Sequence, residues 1–159
     1  MFVLPLREPL SSGAPLSTFL DSRFRKLHPA FSPDGRWVAY RSDDTGGPEV
    51  YVTPYPGPGP RFPISTDGGD RPRWSSTGRE LFYLNRNKMM AADVETSPQF
   101  RAATPRLLFA GNYANGYDTA ADGKRFLMIK MPTALPSAAD RVEIVLNWFE
   151  ELKARWPAR

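Results

Sequence analysis

Residues 28–42, HPAFSPDGRWVAYRS, decide the fold because they read as a strand, a tight turn and a second strand. The first strand is predicted over residues 29–32, and the second over residues 37–40, where aromatic and β-branched side chains favour extended structure. Between them lies Pro-Asp-Gly at residues 33–35. Proline fixes φ, aspartate bonds its own backbone and glycine accepts φ > 0, so these three residues predict a turn.

The same unit occurs twice more, as WSSTGRELFYL at residues 74–84 and GYDTAADGKRFLMI at residues 116–129. The turn glycines Gly35, Gly78 and Gly123 are separated by 43 and 45 residues. An all-strand repeat of about 40–45 residues is the period of a four-stranded propeller blade. The sequence therefore predicts an all-β fold: a partial β-propeller of antiparallel four-stranded blades, about three repeats and a half-blade, with a short C-terminal helix.

The repeat divides the chain into segments with the following expected boundaries. We expect a half-blade at 1–27, a blade at 28–66, a blade at 71–110, an incomplete last blade at 116–148 and a helix at 149–156. The helix is predicted because Trp148, Leu152 and Trp156 recur at i, i+4 and i+8, and Pro157 ends it. The apolar runs LFYL (81–84) and FLMI (126–129) do not alternate, which predicts strands covered on both faces.

The number of repeats bears on assembly. Closed propellers typically have about four to eight blades, and three repeats with a half-blade are too few to close a ring. We therefore expect either a fragment of a longer propeller or two copies that pair through their open blade faces, as a homo-oligomer.

Composition limits the class of protein and its partners. Hydrophobic residues make up 41% and charged residues 24% of the 159 residues, as in globular domains. Cysteine is absent, which excludes disulfides and thiolate zinc sites within the chain. The net charge of +4 is spread along the chain rather than gathered in a run, so we predict no nucleic-acid binding. We expect no membrane span in this chain, because no apolar run is long enough, and its first ten residues do not read as a signal peptide.

Together these stretches resemble the C-terminal part of a TolB-type, WD-repeat-like β-propeller, and most of all the propeller that ends many bacterial eukaryotic-like serine/threonine protein kinases. The resemblance covers most of residues 28–153. Its matching stretches are HPAFSPDGRWVAYRSDDTGGPEVYVTPYPGPG, ISTDGGDRPRWSSTGRELFYLN, GYDTAADGKRFLMI and VLNWFEELK. The second repeat departs from the pattern, because Ser76-Thr77 stands where Pro-Asp is usual and only the turn glycine is kept.

The resemblance implies a non-catalytic propeller module that binds a protein, peptide or other ligand, in a periplasmic or other extracytoplasmic compartment. One alternative is the sensor or regulatory C-terminal region of such a kinase, and another is a propeller attached to a hydrolase. The chain contains no glycine-rich phosphate loop, HRD catalytic loop or DFG motif, so we predict that it is not an enzyme.

No residue is assigned to catalysis, to a cofactor or to a metal. His28 is the only histidine and no GxSxG motif accompanies it, so we expect it to pack or hydrogen-bond at the start of its strand. The loop Asp67-Gly68-Gly69-Asp70 lacks the lysine and the strand–loop–helix context of a phosphate loop, and is predicted to be an inter-blade turn.

Aspartates near the turns are the remaining candidates, as ligands of a cation. The residues considered are Asp34 and Asp122 together with Asp43, Asp44, Asp67 and Asp70. Because EF-hand spacing is missing and bonding within a single turn explains Asp34 and Asp122, we predict structural roles for them and no metal site.

Overall fold

A computed structural model describes residues 1–3, 17–57 and 59–132, which form β-strands and turns without a helix. The strands are β1 (Phe2–Val3), β2 (Ser17–Thr18), β3 (Lys26–Phe31), β4 (Trp37–Ser42), β5 (Glu49–Pro54), β6 (Phe62–Pro63), β7 (Asp70–Trp74), β8 (Glu80–Asn85), β9 (Lys88–Glu95), β10 (Arg101–Ala102), β11 (Arg106–Ala110), β12 (Tyr113–Thr119) and β13 (Phe126–Lys130). The predicted helix at 149–156 and the 133–148 part of the predicted last blade lie outside the described residues.

Within the described residues, the strands pair into four antiparallel sheets that follow the order of the chain. β1 pairs with β2, and β3 to β6 form a four-stranded sheet in sequence order. β7, β8 and β9 form the next sheet, in which β10 and β11 share the outer edge of β9. β12 pairs with β13. Pro63 lies in the edge strand β6, where its missing N–H costs no ladder hydrogen bond.

The sequence did not predict β10. Glu95 in β9 is opposite Arg101 in β10, whereas Lys88 at the other end of β9 is opposite Ala110 in β11. The eight-residue β9 is thus long enough to pair with two short strands in succession. A two-residue strand inside a polar, proline-containing segment has no alternation to detect, which is why the pattern shows only β11.

The three predicted turns have one geometry. Gly35, Gly78 and Gly123 have φ values of 68°, 69° and 66°. Each glycine N–H donates to the carbonyl oxygen three residues earlier, at 2.8, 3.0 and 2.9 Å respectively. Left-handed φ is a conformation that glycine adopts without steric cost. The glycine spacing of the sequence therefore marks the same structural position in three consecutive hairpins.

The side chain before each turn glycine also repeats its role. The Asp34 carboxylate accepts a hydrogen bond from the backbone N–H of Arg36 at 3.1 Å, and Thr77 Oγ1 accepts one from that of Arg79 at 3.4 Å. Thr77 occupies the position of Asp34 in the second repeat and accepts the equivalent hydrogen bond. The second repeat therefore shares this hydrogen bond with the first as well as the turn glycine. A further hydrogen bond, from the Ser32 hydroxyl, is the main reason why the pKa of Asp34 lies below its usual value.

The sheets stack face to face. Ala39, Val50 and Val52 of the four-stranded sheet form one buried cluster with Leu81 and Tyr83 of the next sheet. On the far side of the four-stranded sheet, Val38, Tyr40 and Tyr51 pack against Met1, Phe19 and Leu20. On the far side of the β7–β11 sheet, Phe82, Leu84, Met89 and Ala91 pack against Tyr117, Phe126 and Met128. Each of the two large sheets is therefore covered on both faces.

The prediction that the second strands are covered on both faces is right for β8 and wrong for the described part of β13. Leu81 to Leu84 are all buried. In β13, Phe126 and Met128 pack against the preceding sheet, but Leu127 and Ile129 are 75% and 64% exposed. The reason is that no sheet among residues 1–3, 17–57 and 59–132 packs on that outer face.

Candidate binding cleft

The first strands of the three repeats lie side by side. β3, β7 and β12 are each an edge strand of their own sheet, and β7 contacts both of the others. Two side-chain hydrogen bonds tie these strands together across the sheets. Trp74 Nε1 of β7 donates to the Ala30 carbonyl oxygen of β3 at 3.1 Å, and the Tyr117 hydroxyl of β12 donates to the Arg71 carbonyl oxygen of β7 at 2.7 Å.

Each of these strands is irregular at its start. The pairing register shifts between Leu27 and Ala30 in β3 and between Asp70 and Arg73 in β7. At these irregularities His28 and Arg71 both have φ of 52°, a left-handed conformation that is uncommon for residues other than glycine. His28 precedes Arg71 by 43 residues, the spacing of the first two turn glycines, so the two residues occupy one repeat position.

The third repeat has glycine at this position. Gly116 follows Arg71 by 45 residues, the spacing of the second pair of turn glycines. The register of β12 also shifts here, between Tyr113 and Tyr117. Gly116 does not have a left-handed φ, and a Cβ built on it would meet no atom within 4 Å, so the backbone beside it is open.

A cleft of about 170 Å³ opens where the three strands meet, and we call it the inner-strand cleft. Its lining residues are His28, Pro29, Arg71, Pro72, Arg73, Gly116 and Tyr117. These residues come from the same part of three different repeats. Stacking in chain order is what brings them together, since each strand alone supplies only two or three of them.

Asp70 balances part of the positive charge at the rim of the cleft. Its Oδ1 lies 2.7 Å from His28 Nδ1 and 3.9 Å from Arg41 Nε, and it accepts a hydrogen bond from the Arg71 N–H at 2.8 Å. The histidine therefore hydrogen-bonds to an aspartate at the start of its strand, and a hydrogen bond there is what the sequence analysis expected. The bond to the Arg71 N–H also helps to hold the left-handed backbone of that residue.

Arg71 and Arg73, unlike Arg41 and His28, have no carboxylate beside their side chains in the described residues. Within the described part of the chain, neither forms an ion pair with a carboxylate. Arg71 Nε is buried and has no hydrogen-bond partner there. Burial raises the pKa of Tyr117, and the nearby charges of Arg73 and Arg71 act in the opposite direction. The phenol therefore stays protonated at neutral pH and remains a donor to the Arg71 carbonyl oxygen.

A second, wider cleft of about 480 Å³ lies at the loop following β6 and includes Asp67 to Asp70. The loop is fixed from within: the Gly68 N–H donates to Glu49 Oε1 at 2.9 Å, and the Gly69 N–H donates to the Pro48 carbonyl oxygen at 2.7 Å. The two glycine N–H groups of the loop are thus engaged by the protein itself. The loop connects the β3–β6 sheet to β7, in the place expected of an inter-sheet turn.

The aspartates considered as cation ligands do not gather at one place. Asp34 and Asp122 bond within their own turns. Asp43 accepts a hydrogen bond from the Arg25 N–H at 3.0 Å, and Asp44 pairs with Lys26 and Arg61. Within residues 1–3, 17–57 and 59–132, no three acidic or histidine side chains gather as a metal site would require. Each of these four aspartates has a partner within the chain.

Sequence reasoning missed Arg71, Arg73 and Tyr117 as cleft residues. A signal was present, because the repeat spacing applied to His28 gives Arg71 and then Gly116. That spacing gives equivalent positions but not the polar character of the cleft, because the three repeats carry different residues at the same position: His28, Arg71 and Gly116. Only the contact between β3, β7 and β12 shows that these residues share one cleft.

Comparison with protein-family models and with curated protein sequences finds no match for this chain. In the described residues, the structure has no helix with the length and apolar character needed to cross a membrane.

Proposed function

We propose that the four sheets are consecutive blades of a β-propeller, and that the chain is a non-catalytic module that binds a protein or peptide at the inner-strand cleft. The repeat spacing of 43 and 45 residues supports the propeller assignment, as does the stacking of sheets in chain order. So does the position of β3, β7 and β12, because the first strand of every blade lies nearest the axis in a propeller.

One observation carries the binding function: equivalent residues of three repeats line a single cleft. A cleft built in this way is held by the framework of the fold rather than by one loop. Preformed clefts with a few convergent polar groups are the usual form of binding sites. The left-handed backbone at His28 and Arg71 supports the proposal, because such strained residues cluster at functional sites.

The polar contacts around the cleft favour binding over catalysis. The imidazole of His28 is bonded to Asp70, and the hydroxyl of Tyr117 is bonded to the Arg71 carbonyl oxygen. Both groups hold backbone elements in place. A hydrolytic triad would also pair the other ring nitrogen of the histidine with a serine hydroxyl, and no hydrogen bond between His28 and a serine is found in the described residues.

Selection of a displayed random-peptide library against the intact chain, followed by NMR titration of the selected peptides, tests this proposal. We expect saturable shifts of the backbone amides of His28, Arg71, Arg73, Gly116 and Tyr117. The turn residues 34–36 are the internal control and should not respond. We also expect no turnover of peptide, phosphate-ester or nucleotide substrates by the purified chain. Shifts confined to surfaces outside the cleft, or turnover by the pure protein, would contradict the proposal.

A further inference from the structure

We propose that the inner-strand cleft binds the carboxylate of an acidic peptide side chain, which Arg71 and Arg73 hold. This inference rests on the proposed function and gives it a ligand chemistry. It follows from the unpaired positive charge of the cleft, from the donor geometry of its two arginines and from its size.

The charge around the cleft is positive. Arg71 and Arg73 line the cleft, and Arg41 Nε lies 3.9 Å from Asp70, the carboxylate at the rim. Three arginines against this one carboxylate leave an excess of two positive charges before His28 is counted. Arg41 and His28 already share Asp70. The uncompensated charge is therefore that of Arg71 and Arg73, and an anion is the ligand that neutralises it.

Arg71 also lacks a hydrogen-bond acceptor. Its Nε is buried without a partner in the described part of the chain, although a buried polar group normally has one. The planar guanidinium presents several N–H donors in a fixed geometry that matches the two oxygens of a carboxylate. Because Nε itself is closed off from solvent, a bound carboxylate would be held by the terminal nitrogens of Arg71 and Arg73, which have no carboxylate partner in the described residues.

The size and charge of the cleft narrow the ligand further. Its volume of about 170 Å³ is below the roughly 300–1,000 Å³ of sites for drug-sized ligands, so it admits a side-chain-sized group. Asp70 lies at the rim, 2.8 Å from the Arg71 N–H. Pro29 and Pro72 also line the cleft and give it apolar surface, which the methylene groups of a side chain can contact and inorganic phosphate cannot. A glutamate or aspartate side chain on a peptide fits both constraints.

A matched pair of small probes tests the inference on the intact chain by ¹H–¹⁵N NMR titration. N-acetyl-glutamate N-methylamide supplies the carboxylate, and N-acetyl-glutamine N-methylamide supplies a neutral group of the same shape. We expect the glutamate probe to shift the amides of His28, Arg71, Arg73, Gly116 and Tyr117, with an affinity roughly tenfold or more above that of the glutamine probe. Inorganic phosphate is the third probe, and should bind more weakly than the glutamate probe.

Two substitutions assign the binding to the arginines. Arg73→Gln should lower the affinity for the glutamate probe roughly tenfold. Arg79→Gln removes an exposed arginine of the same repeat outside the cleft, and should leave that affinity unchanged. Arg71→Lys keeps the charge but removes the planar set of N–H donors, and should also weaken binding of the glutamate probe. Because Arg73 is exposed, its variant is expected to fold even if the Arg71 variant does not.

The outcomes separate this inference from the proposed function. Equal binding of the glutamine and glutamate probes at the same amides would overturn the carboxylate assignment and leave a peptide-binding cleft. Tighter binding of phosphate would overturn the choice of a peptide carboxylate. If the small probes fail while library-selected peptides still shift the cleft amides, only the carboxylate inference falls. If those peptides also leave the chemical shifts of the cleft amides unchanged, the proposed function is contradicted as well.

Discussion

Replacing Phe82 by alanine is expected to lower the free energy of unfolding by about 3–5 kcal/mol, the range found for large-to-small changes in packed cores. Phe82 is 1% exposed and belongs to the cluster between the β7–β11 sheet and the β12–β13 sheet. Its ring meets that of Phe126 edge-on, with centroids 5.0 Å apart. The substitution removes both the buried ring and an aromatic contact that joins two repeats. Urea-induced unfolding, followed by tryptophan fluorescence, measures the loss.

Leu127→Ala is the matched control for this prediction. Phe82 and Leu127 both lie four residues after a turn glycine, so they occupy one repeat position, but Leu127 is 75% exposed. We expect its replacement to change stability by less than about 0.5 kcal/mol, as for most surface substitutions. If the two substitutions lowered the free energy of unfolding by similar amounts, the stacking of the β7–β11 sheet on the β12–β13 sheet would be wrong.

Valine at Gly35 or at Gly123 is expected to destabilise the protein by about 1–3 kcal/mol, because a β-branched residue is strained at left-handed φ. The two glycines have φ of 68° and 66°. Space is not the obstacle: a Cβ on Gly35 would meet no atom within 4 Å, and one on Gly123 would lie 3.8 Å from Ser75 Cβ. Thermal melts of the two variants against the parent measure the effect.

Two further variants separate backbone strain from side-chain bulk. Gly47 has as much room as Gly35 but no left-handed φ, so Gly47→Val should have little effect. The melting temperature of Gly35→Asn should lie between those of the parent and of Gly35→Val, since asparagine tolerates left-handed φ better than valine. Equal melting temperatures for Gly35→Val and Gly47→Val would show that the turn does not depend on φ > 0.

The sequence predicted those parts of the fold that depend on local chemistry. The Pro-Asp-Gly turn at 33–35 and its two equivalents lie at the predicted positions because the backbone demands glycine there. The apolar run at 81–84 correctly predicted a strand covered on both faces. The run at 126–129 did not, because burial depends on what packs against a strand and not on its composition alone.

The cleft was beyond the reach of sequence pattern. His28 was correctly expected to pack or hydrogen-bond at the start of its strand, but its partner Asp70 lies 42 residues away on another sheet, and no local motif links the two. Arg71 and Arg73 read as ordinary polar positions in a short edge strand. Their place beside Tyr117 follows from the stacking of sheets, which a pattern of strands and turns does not define. The carboxylate inference therefore depends on the three-dimensional arrangement.

The central claim is that consecutive repeats stack in chain order, so that their first strands form one cleft. Pulsed electron–electron distance measurement between spin labels tests it most directly. The chain has no cysteine, so labels attach only where cysteine is introduced. Arg36, Arg79 and Lys124 each follow a turn glycine and are exposed, which makes them equivalent labelling sites.

Neighbouring turns are in contact in the structure. A Cβ on Gly78 would lie 3.5 Å from Pro33 Cδ, and one on Gly123 would lie 3.8 Å from Ser75 Cβ. Stacking in chain order therefore predicts similar distances for the label pairs 36–79 and 79–124, and a longer distance for 36–124. A 36–124 distance equal to or shorter than the other two would contradict the stacked order, and with it the cleft.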